Sequence, residues 1–315
     1  MRAGRVYIAR QIGFSVLVLW VIVSLSFFLR GLSGLQPLTQ GDFGSGPPSG
    51  SGLSISAYLG YLGDVLHLDF GHSLAYPFGS VATLVATALP WTVLLVGIGT
   101  IIALTIGTVL GIILAWRRGS VLDTLVTPTV IFSASIPYYF VALILVYYVG
   151  LDSGWFPIAD AYSPEFTPHL SPTFVVDVIQ HGILPVTAVV AATFGLWVLP
   201  MRNAMVGVLD DDFMVLGRAK GLASRRLMMR YAARNVLLPV VTNFAVQLGY
   251  IMGGAVFVEV VFNYQGVGWL LVQSVGHGDY PTVQALILLA ATVVLLTNLT
   301  VRLLYPRLDP RLRHE

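Results

Sequence analysis

A basic, glycine-containing string in the second half of the chain, Gly217-Arg-Ala-Lys-Gly221-Leu, is the nearest approach to a phosphate-binding motif. A phosphate cradle of the form G-x-x-x-x-G-K-[ST] places its lysine after the second glycine and adds a Ser or Thr for magnesium. Here the lysine precedes the second glycine, and no Ser or Thr follows it directly. The chain is therefore not expected to hydrolyse ATP, and no cofactor is expected within it.

The histidines are the other candidates for chemistry, and they are His67, His72, His169, His181, His277 and His314. They form no H-E-x-x-H pair, so a metalloprotease is not indicated. Each is predicted to lie in a loop or at the edge of an apolar stretch, whereas an intramembrane serine protease needs a histidine deep within one. Cysteine is absent, which removes disulfides and thiolate chemistry. These patterns predict a protein that is not an enzyme and holds no metal.

The elements around these residues are predominantly apolar. Of 315 residues 56% are hydrophobic and 10% are charged, against roughly 25% charged in a soluble domain. A helix rising 1.5 Å per residue needs about 20 apolar residues to cross a membrane. Six stretches lack any Asp, Glu, Lys or Arg over such a length: 11–29, 89–115, 124–149, 182–201, 236–258 and 280–301. We expect an all-α membrane protein of six transmembrane helices, forming a single domain over 1–315.

Basic residues lie almost entirely on one side of these stretches. That side receives 16 of the 17 Lys and Arg, and the other side keeps Arg30 together with nine of the 15 acids. Because cytoplasmic loops are enriched in Lys and Arg, both termini are predicted to be cytoplasmic. We expect the first stretch to be a retained anchor, since it is long enough to span and no small-residue cleavage site follows it. The net charge of +2 is too small for a nucleic-acid platform.

The segment between the fourth and fifth stretches, residues 210–234, has the pattern of two short helices. Asp210, Asp211 and Asp212 can cap the amino end of a helix over 213–220. Gly221 is expected to end that helix, and Ser224 to cap a second one that carries Arg225, Arg226, Arg230 and Arg234.

This segment resembles the so-called E-A-A loop of permease subunits in binding-protein-dependent ABC importers, in the dipeptide, oligopeptide and nickel branch. The matching residues are Gly217-Arg218-Ala219-Lys220-Gly221-Leu222, Arg225-Arg226, and Arg234-Asn235-Val236-Leu237-Leu238-Pro239-Val240. Similar matches occur along most of the chain, at Leu68-Asp69-Phe70-Gly71-His72-Ser73, at Ala88-Leu89-Pro90-Trp91-Thr92, at 257–268 and at Leu308-Asp309-Pro310-Arg311-Leu312-Arg313.

Two segments depart from the family pattern. After the first stretch the chain has Gly34-Leu35-Gln36-Pro37 and a Gly, Ser and Pro tract over 44–52 where the family has a Pro-Gly-Asp-Pro element and a longer outer segment. Within the loop, Val215, Leu216 and Gly217 occupy the positions that give the E-A-A motif its name. The first departure concerns the docking of a binding protein. The second concerns which side chains contact the ATPase.

The resemblance implies a cell-membrane permease subunit of the type I fold, the B-type subunit, whose short loop helix is a coupling helix on a partner ATPase. It also implies a second homologous permease, two ABC ATPases that bind ATP and Mg, and an extracytoplasmic solute-binding protein. The residues expected to engage the ATPase are Leu216, Arg218, Ala219, Lys220, Gly221, Leu222, Arg225 and Arg226. Peptides are the leading solute class, with nickel or another small solute of the branch as the alternative.

A few further residues have types and spacings that could serve transport or packing. Asn243 and Gln247 lie one helical turn apart and line either a polar pathway or a helix interface. The pairs Gly107 and Gly111, and Gly249 and Gly253, predict close helix packing. Glu259 and Asp279 are expected to be solvated loop acids, with contact to a binding protein or to a peptide amine as the alternative. A stand-alone ion-coupled carrier would need an ionisable residue within a span, and none of the six stretches has one. A membrane scaffold would leave the loop pattern unexplained.

Overall fold

The structure, a computed structural model, describes residues 2–32, 54–76, 79–237 and 244–308, and the side chains of 10–28, 54–76, 79–237 and 251–300. Within these ranges the chain is helical, apart from loops, turns and one isolated β-bridge between His72 and Ser80. It divides into two compact units: Met1–Trp91 with Gly266–Leu304, and Thr92–Gln265 with Tyr305–Glu315. The Gly/Ser/Pro tract over 44–52 and the Gly34-Leu35-Gln36-Pro37 element lie outside the described residues.

The first unit is built on helices α1, Arg2–Leu32, and α2, Ile55–Leu66. With them are the first turns of α3, Val81–Trp116, then α11, Val267–Gly276, and most of α12, Tyr280–Leu308. Val23 and Phe27 of α1 pack with Tyr61 and Leu288 in one buried cluster. Ser54 caps α2 by accepting a hydrogen bond from the Ala57 amide at 3.1 Å.

The second unit contains the remainder of α3 and the helices that follow it. These are α4, Val121–Ala134; α5, Tyr138–Ile144, which continues as a π-helix over Leu145–Asp152; α6, Pro172–Thr193; α7, Gly195–Val208; α8, Asp212–Ala219; α9, Ser224–Arg226, which continues as a π-helix over Leu227–Ala233; and α10, Phe244–Val261. Val130 and Val198 pack with Leu114 of α3 in a buried cluster. This cluster joins α3, α4 and α7.

In the part of the chain that the structure describes, four continuous segments are long and apolar enough to cross a membrane: Arg10–Phe28, Val81–Trp116, Pro172–Val208 and Tyr280–Thr300. They correspond to the first, second, fourth and sixth predicted stretches. The fifth stretch, 236–258, includes residues 238–243, which lie outside the described residues. Its remainder contributes most of α10. The prediction of several apolar membrane helices is confirmed.

The third predicted stretch is not one straight helix. Val121–Ala134 and Tyr138–Asp152 meet at an angle of 102° across the break at 135–137. Pro137 has no backbone N–H, and its ring disfavours helical geometry at the preceding Ile136. The stretch 124–149 is therefore two helices rather than the one helix that was expected, because a search for uncharged stretches took no account of Pro137.

The fourth helical segment begins ten residues before its predicted start. Ser171 caps it by accepting a hydrogen bond from the Phe174 amide at 3.2 Å, and Pro172 occupies its first position. As a result His181 lies inside a candidate span and is buried, which corrects its placement at a span edge. The predicted stretch was started after Asp177 because it was required to contain no charge. The helix nevertheless includes Asp177, whose carboxylate accepts hydrogen bonds from the Ser163 hydroxyl at 2.6 Å and from the Ser163 amide at 2.7 Å.

Close helix packing is found at one predicted glycine pair and not at the described member of the other. A Cβ at Gly107 would lie 2.5 Å from the Trp197 Cβ, and one at Gly111 would lie 2.7 Å from the Val198 carbonyl. Neither position admits a larger residue without movement of α7. At Gly253 a Cβ would meet nothing within 4 Å, whereas at Gly254 it would lie 2.5 Å from the Tyr138 ring. The contact of α10 is therefore made at Gly254, one residue along the helix.

Candidate functional site

Helix α8 ends in a turn that only a residue with positive φ can make at low cost. Gly221 has φ +70°, its amide donates to the Arg218 carbonyl at 2.9 Å, and the Leu222 amide donates to the Gly217 carbonyl at 3.2 Å. These two bonds are the Schellman pattern of a helix end. A Cβ at Gly221 would meet nothing within 4 Å. The glycine is therefore required by backbone conformation rather than by space, as the sequence predicted.

One face of α8 is held against the rest of the unit. Met214 is buried and packs with Leu209, Met205 and Leu227. Gly217 is also buried, and a Cβ there would lie 2.5 Å from the Leu227 Cδ2 and 3.7 Å from the Leu222 Cδ1. Sequence reasoning missed the packing role of Gly217. The available signal was a glycine in the middle of a short helix, where it lowers helix propensity and implies close approach.

The opposite face of α8 is exposed, although it carries large apolar side chains. Val215 is 53% exposed and Leu216 is 55% exposed. Ala219, Lys220 and Gly221 follow them at the surface. Exposed apolar residues beside a charged one on a helix that is otherwise anchored are typical of a docking surface. Of the residues predicted to engage an ATPase, Leu216, Ala219 and Lys220 lie together on this surface, with Gly221 at its end.

Two residues of the predicted set have partners within the chain. Arg218 donates from Nη2 to the Leu209 carbonyl at 3.1 Å, which ties α8 to the end of α7. Leu222 is half-buried and packs against the cluster that contains Leu227. Arg225 and Arg226 are exposed on α9. The structure thus separates the set into residues that present a surface and residues that position it.

The acidic run before α8 does not act as three equivalent caps. Asp211 occupies the N-cap position without a side-chain bond to the helix, and Asp212 lies in the first turn. Asp210 instead pairs with Arg118, the closest oxygen lying 3.0 Å from the arginine Nη2. Ser224 is the first residue of α9 and Ala223 is its N-cap, so the predicted cap at Ser224 is wrong.

The two residues predicted for a polar pathway lie where the structure gives no side-chain detail. Asn243 lies outside the described residues, and Gln247 belongs to α10, but its side chain is not among those described. Their lining role stays a prediction.

Glu259 and Asp279 are fully buried, so the prediction that they are solvated loop acids is wrong. The Thr92 hydroxyl donates to Glu259 at 2.6 Å. Asp279 accepts from the Ser73 hydroxyl at 2.5 Å, from the Thr282 hydroxyl at 2.6 Å and from the Leu74 amide at 3.1 Å. Buried carboxylates persist where fixed donors replace water. For Asp279, the string Asp-Tyr-Pro at the start of α12 was a helix-start signal that could have indicated this role.

Around Glu259 the chain forms a tight turn. The Tyr264 amide donates to the Glu259 carbonyl at 2.7 Å. Burial raises the pKa of the Tyr264 phenol, and the negative charge of Glu259 raises it further. Asp160, at φ +69°, accepts from the side-chain amide of Asn263 at 2.7 Å and from that of Gln265 at 2.5 Å. These bonds join the loop after the π-helix of α5 to the turn that follows α10.

Comparison with known proteins identifies the class of protein to which this helical unit and loop belong. Residues 107–314 match the family described as binding-protein-dependent transport system inner membrane component. The chain belongs to this family. It is therefore a permease component of the membrane, and the prediction that it is not itself an enzyme is confirmed. Family membership also implies a solute-binding protein and a separate ATPase as partners.

Particular relatives cover most of the chain. The oligopeptide transport system permease protein AppB of Bacillus subtilis is 31% identical over 325 residues, covering 98% of this chain and 99% of the relative. The di/tripeptide transport system permease protein DppB of Pseudomonas aeruginosa is 34% identical, covering 82% of this chain and 80% of the relative. The glutathione transport system permease protein GsiC of Salmonella typhimurium is 32% identical, covering 81% and 78%.

Proposed function

We propose that the chain is the pore-forming permease subunit of an ATP-driven importer of di- and oligopeptides, and that α8 is its coupling helix. It spans the membrane six times, with the bent pair α4 and α5 as one span and the segment containing α10 as another. Both termini are cytoplasmic, since 16 of the 17 basic residues fall on the side of the coupling helix. The function is a mechanical one, in which ATP-driven movement of a partner reaches the spans through α8.

The observation that carries the proposal is the combination of anchoring and exposure on α8. Its inner face is fixed by Met214 and Gly217, and its end by the positive-φ turn at Gly221. Its outer face leaves Val215 and Leu216 uncovered. A helix that transmits force needs a stiff attachment on one side and a free surface on the other, and α8 has both.

The proposed roles of the loop residues follow from this division. Leu216, Ala219 and Lys220 contact the ATPase groove, with Arg225 and Arg226 at its edge. Arg218, Gly221 and Leu222 hold α8 at its angle. The complete importer adds a second homologous permease, two ATPase subunits that carry ATP and Mg, and an extracytoplasmic solute-binding protein. Asn243 and Gln247 are proposed to face the passage between the two permeases.

Peptides are proposed as the solute because relatives that match this chain are named as oligopeptide, di/tripeptide and glutathione permeases. In such systems the binding protein selects the solute, and the permease provides a polar passage. Nickel or another small solute of the same branch is the alternative for the same architecture.

The test begins with purification of the tagged chain from its native membranes in mild detergent, followed by mass spectrometry of its stoichiometric partners. We expect a P-loop ATPase and a second permease. The purified complex is then placed in liposomes and supplied with binding protein, ATP and a labelled dipeptide, with nickel ions as the matched alternative. ATP-dependent uptake of the dipeptide supports the proposal. Uptake that needs an ion gradient and no ATPase would contradict it.

A further inference from the structure

The carboxylate of Asp123, in the first turn of α4, is buried with 6% of its surface exposed. Its Oδ1 accepts from Arg202 Nε at 2.7 Å and from the Thr127 hydroxyl at 2.8 Å. Its Oδ2 accepts from Arg202 Nη2 at 2.8 Å and from the Gly119 amide at 3.0 Å. Each oxygen has two donors, so the carboxylate is saturated, and the arginine approaches it with both arms of its fork.

This ion pair marks one end of a continuous contact between α4 and α7. At the other end, a Cβ added to Gly195 would lie 2.8 Å from the Ala134 Cβ. Val130 and Val198 pack together between the two ends. The helices therefore run antiparallel in close contact, from the Asp123–Arg202 pair to the break at 135–137. Helices α4 and α7 are therefore prevented from sliding or rotating against each other, by small residues at one end of the contact and by a bidentate ion pair at the other.

Helix α7 is in turn attached to α8. Met205 and Leu209 pack with Met214 of α8, and Arg218 of α8 donates to the Leu209 carbonyl. A displacement of α8 is thereby passed to α7 through buried packing and a hydrogen bond. Arg202 lies on α7 one turn before Met205, so it moves with this attachment.

We propose that Asp123 and Arg202 form a clamp that makes α4 follow α7 when α8 moves, so that α4 and α7 act as one lever that ends at the break. This inference rests on the proposed function of α8 as a coupling helix. The two are positioning residues, since neither needs to touch solute or ATPase. A bidentate pair suits the task because its separation would leave a buried, uncompensated charge, which is strongly unfavourable. The ion pair therefore stays intact while α8 and α7 move.

A second ion pair joins the same parts of the chain and supplies a matched control. Arg118, in the turn before α4, binds Asp210, just after α7, at 3.0 Å, with side-chain exposures of 47% and 68%. Such exposed pairs are screened by water and contribute little. If any link between these segments were enough to make α4 move with α7, loss of either pair would reduce transport equally. If burial and bidentate geometry are needed, only loss of the Asp123–Arg202 pair reduces transport.

The experiment uses the complete importer in liposomes and measures labelled dipeptide imported per ATP hydrolysed. Asp123→Asn and Arg202→Gln are each expected to lower this ratio by about tenfold, within the usual range of coupling between sites. ATP hydrolysis continues, but its stimulation by the binding protein is lost. The double variant is expected to have a ratio no lower than that of the more impaired single variant, since both changes break the same interaction. Arg202→Lys keeps the charge without the fork and is expected to give an intermediate ratio.

The control variant Arg118→Gln with Asp210→Asn is expected to stay within about twofold of the wild type. Unchanged ratios for Asp123→Asn and Arg202→Gln would overturn the clamp, as would an equal loss in the control. Reduced assembly with a normal ratio in the assembled fraction would assign the pair to folding alone and would also overturn it. A wild-type importer without ATP-driven uptake would overturn the proposed function together with the clamp, whereas normal wild-type uptake with unchanged variants would overturn the clamp alone.

Discussion

The coupling loop, residues 210–234, and the turn at the end of α10, residues 259–265, lie in the same compact unit but use polar residues in opposite ways. In the coupling loop the charges at Asp211, Lys220 and Arg225 are exposed, and glycines determine the shape. In the turn, Glu259 is fully buried and accepts from Thr92. A charged residue at the end of an apolar stretch therefore indicates where a helix ends, but it does not show that the residue is exposed. The loop presents a surface, whereas the turn is internally satisfied.

The largest expected effect on stability is at Glu259. Glu259→Ala removes the acceptor of the Thr92 hydroxyl and leaves a buried space, so we expect the free energy of unfolding to fall by about 2 to 3 kcal/mol. Thermal unfolding of the purified chain in detergent measures this loss. Glu165→Ala, an exposed acid of the same unit, is the control and should leave the unfolding temperature unchanged. Equal shifts in the two variants would show that Glu259 is not a buried anchor.

The next effect is at Gly221. Gly221→Val forces a β-branched residue into positive φ, at a cost of about 1 to 2 kcal/mol. Since nothing lies within 4 Å of the added Cβ, strain in the backbone is the cause. We expect ATP-driven uptake to fall while membrane insertion stays normal. Gly221→Asn is the matched control, because asparagine adopts positive φ more readily, and it should retain most uptake. Normal uptake by Gly221→Val would contradict the role of this turn.

A smaller effect is expected at Gly217, where space rather than conformation is the constraint. Gly217→Leu pushes a side chain into Leu227, and overpacking of this kind costs about 1 kcal/mol or somewhat more. Adding Leu227→Ala should recover part of the loss, because the two changes share one space. Ala219→Leu, at an exposed position of the same helix, is the control. Chemical denaturation of the three variants compares them, and additive losses would argue against direct packing.

The smallest effect on stability, with a clear effect on association, is expected at Leu216. Leu216→Asp changes an exposed side chain, so the free energy of unfolding should stay within about 0.5 kcal/mol of the wild type. Recovery of the ATPase with the tagged chain should nevertheless drop sharply, because a charge replaces an apolar contact. Leu170→Asp, an exposed apolar position in a loop outside the coupling loop, provides the control. Equal ATPase recovery from all three chains would remove Leu216 from the proposed interface.

Local pattern predicted several features correctly. Four apolar stretches correspond to helices, and Gly221 ends α8 with the expected positive φ. The family followed from the motif around Gly221 together with further short matches along the chain, and each of these motifs lies within one short segment. These features depend on neighbours only a few residues away, since the formation of an apolar helix and the end of α8 are decided by short-range hydrogen bonding and by contact with lipid or water.

Features that depend on distant partners were not visible in the sequence. The burial of Glu259 depends on Thr92, and the saturation of Asp123 depends on Arg202 on another helix. The packing of Gly217 depends on the position of Leu227 across the Gly221 turn. The composition and order of residues thus determined that the chain is built of apolar helices, that α8 ends at Gly221 and which family the chain belongs to. Only the tertiary structure decided which acids are buried and which pairs bind, because the free energy of a charge depends on donors brought together by folding.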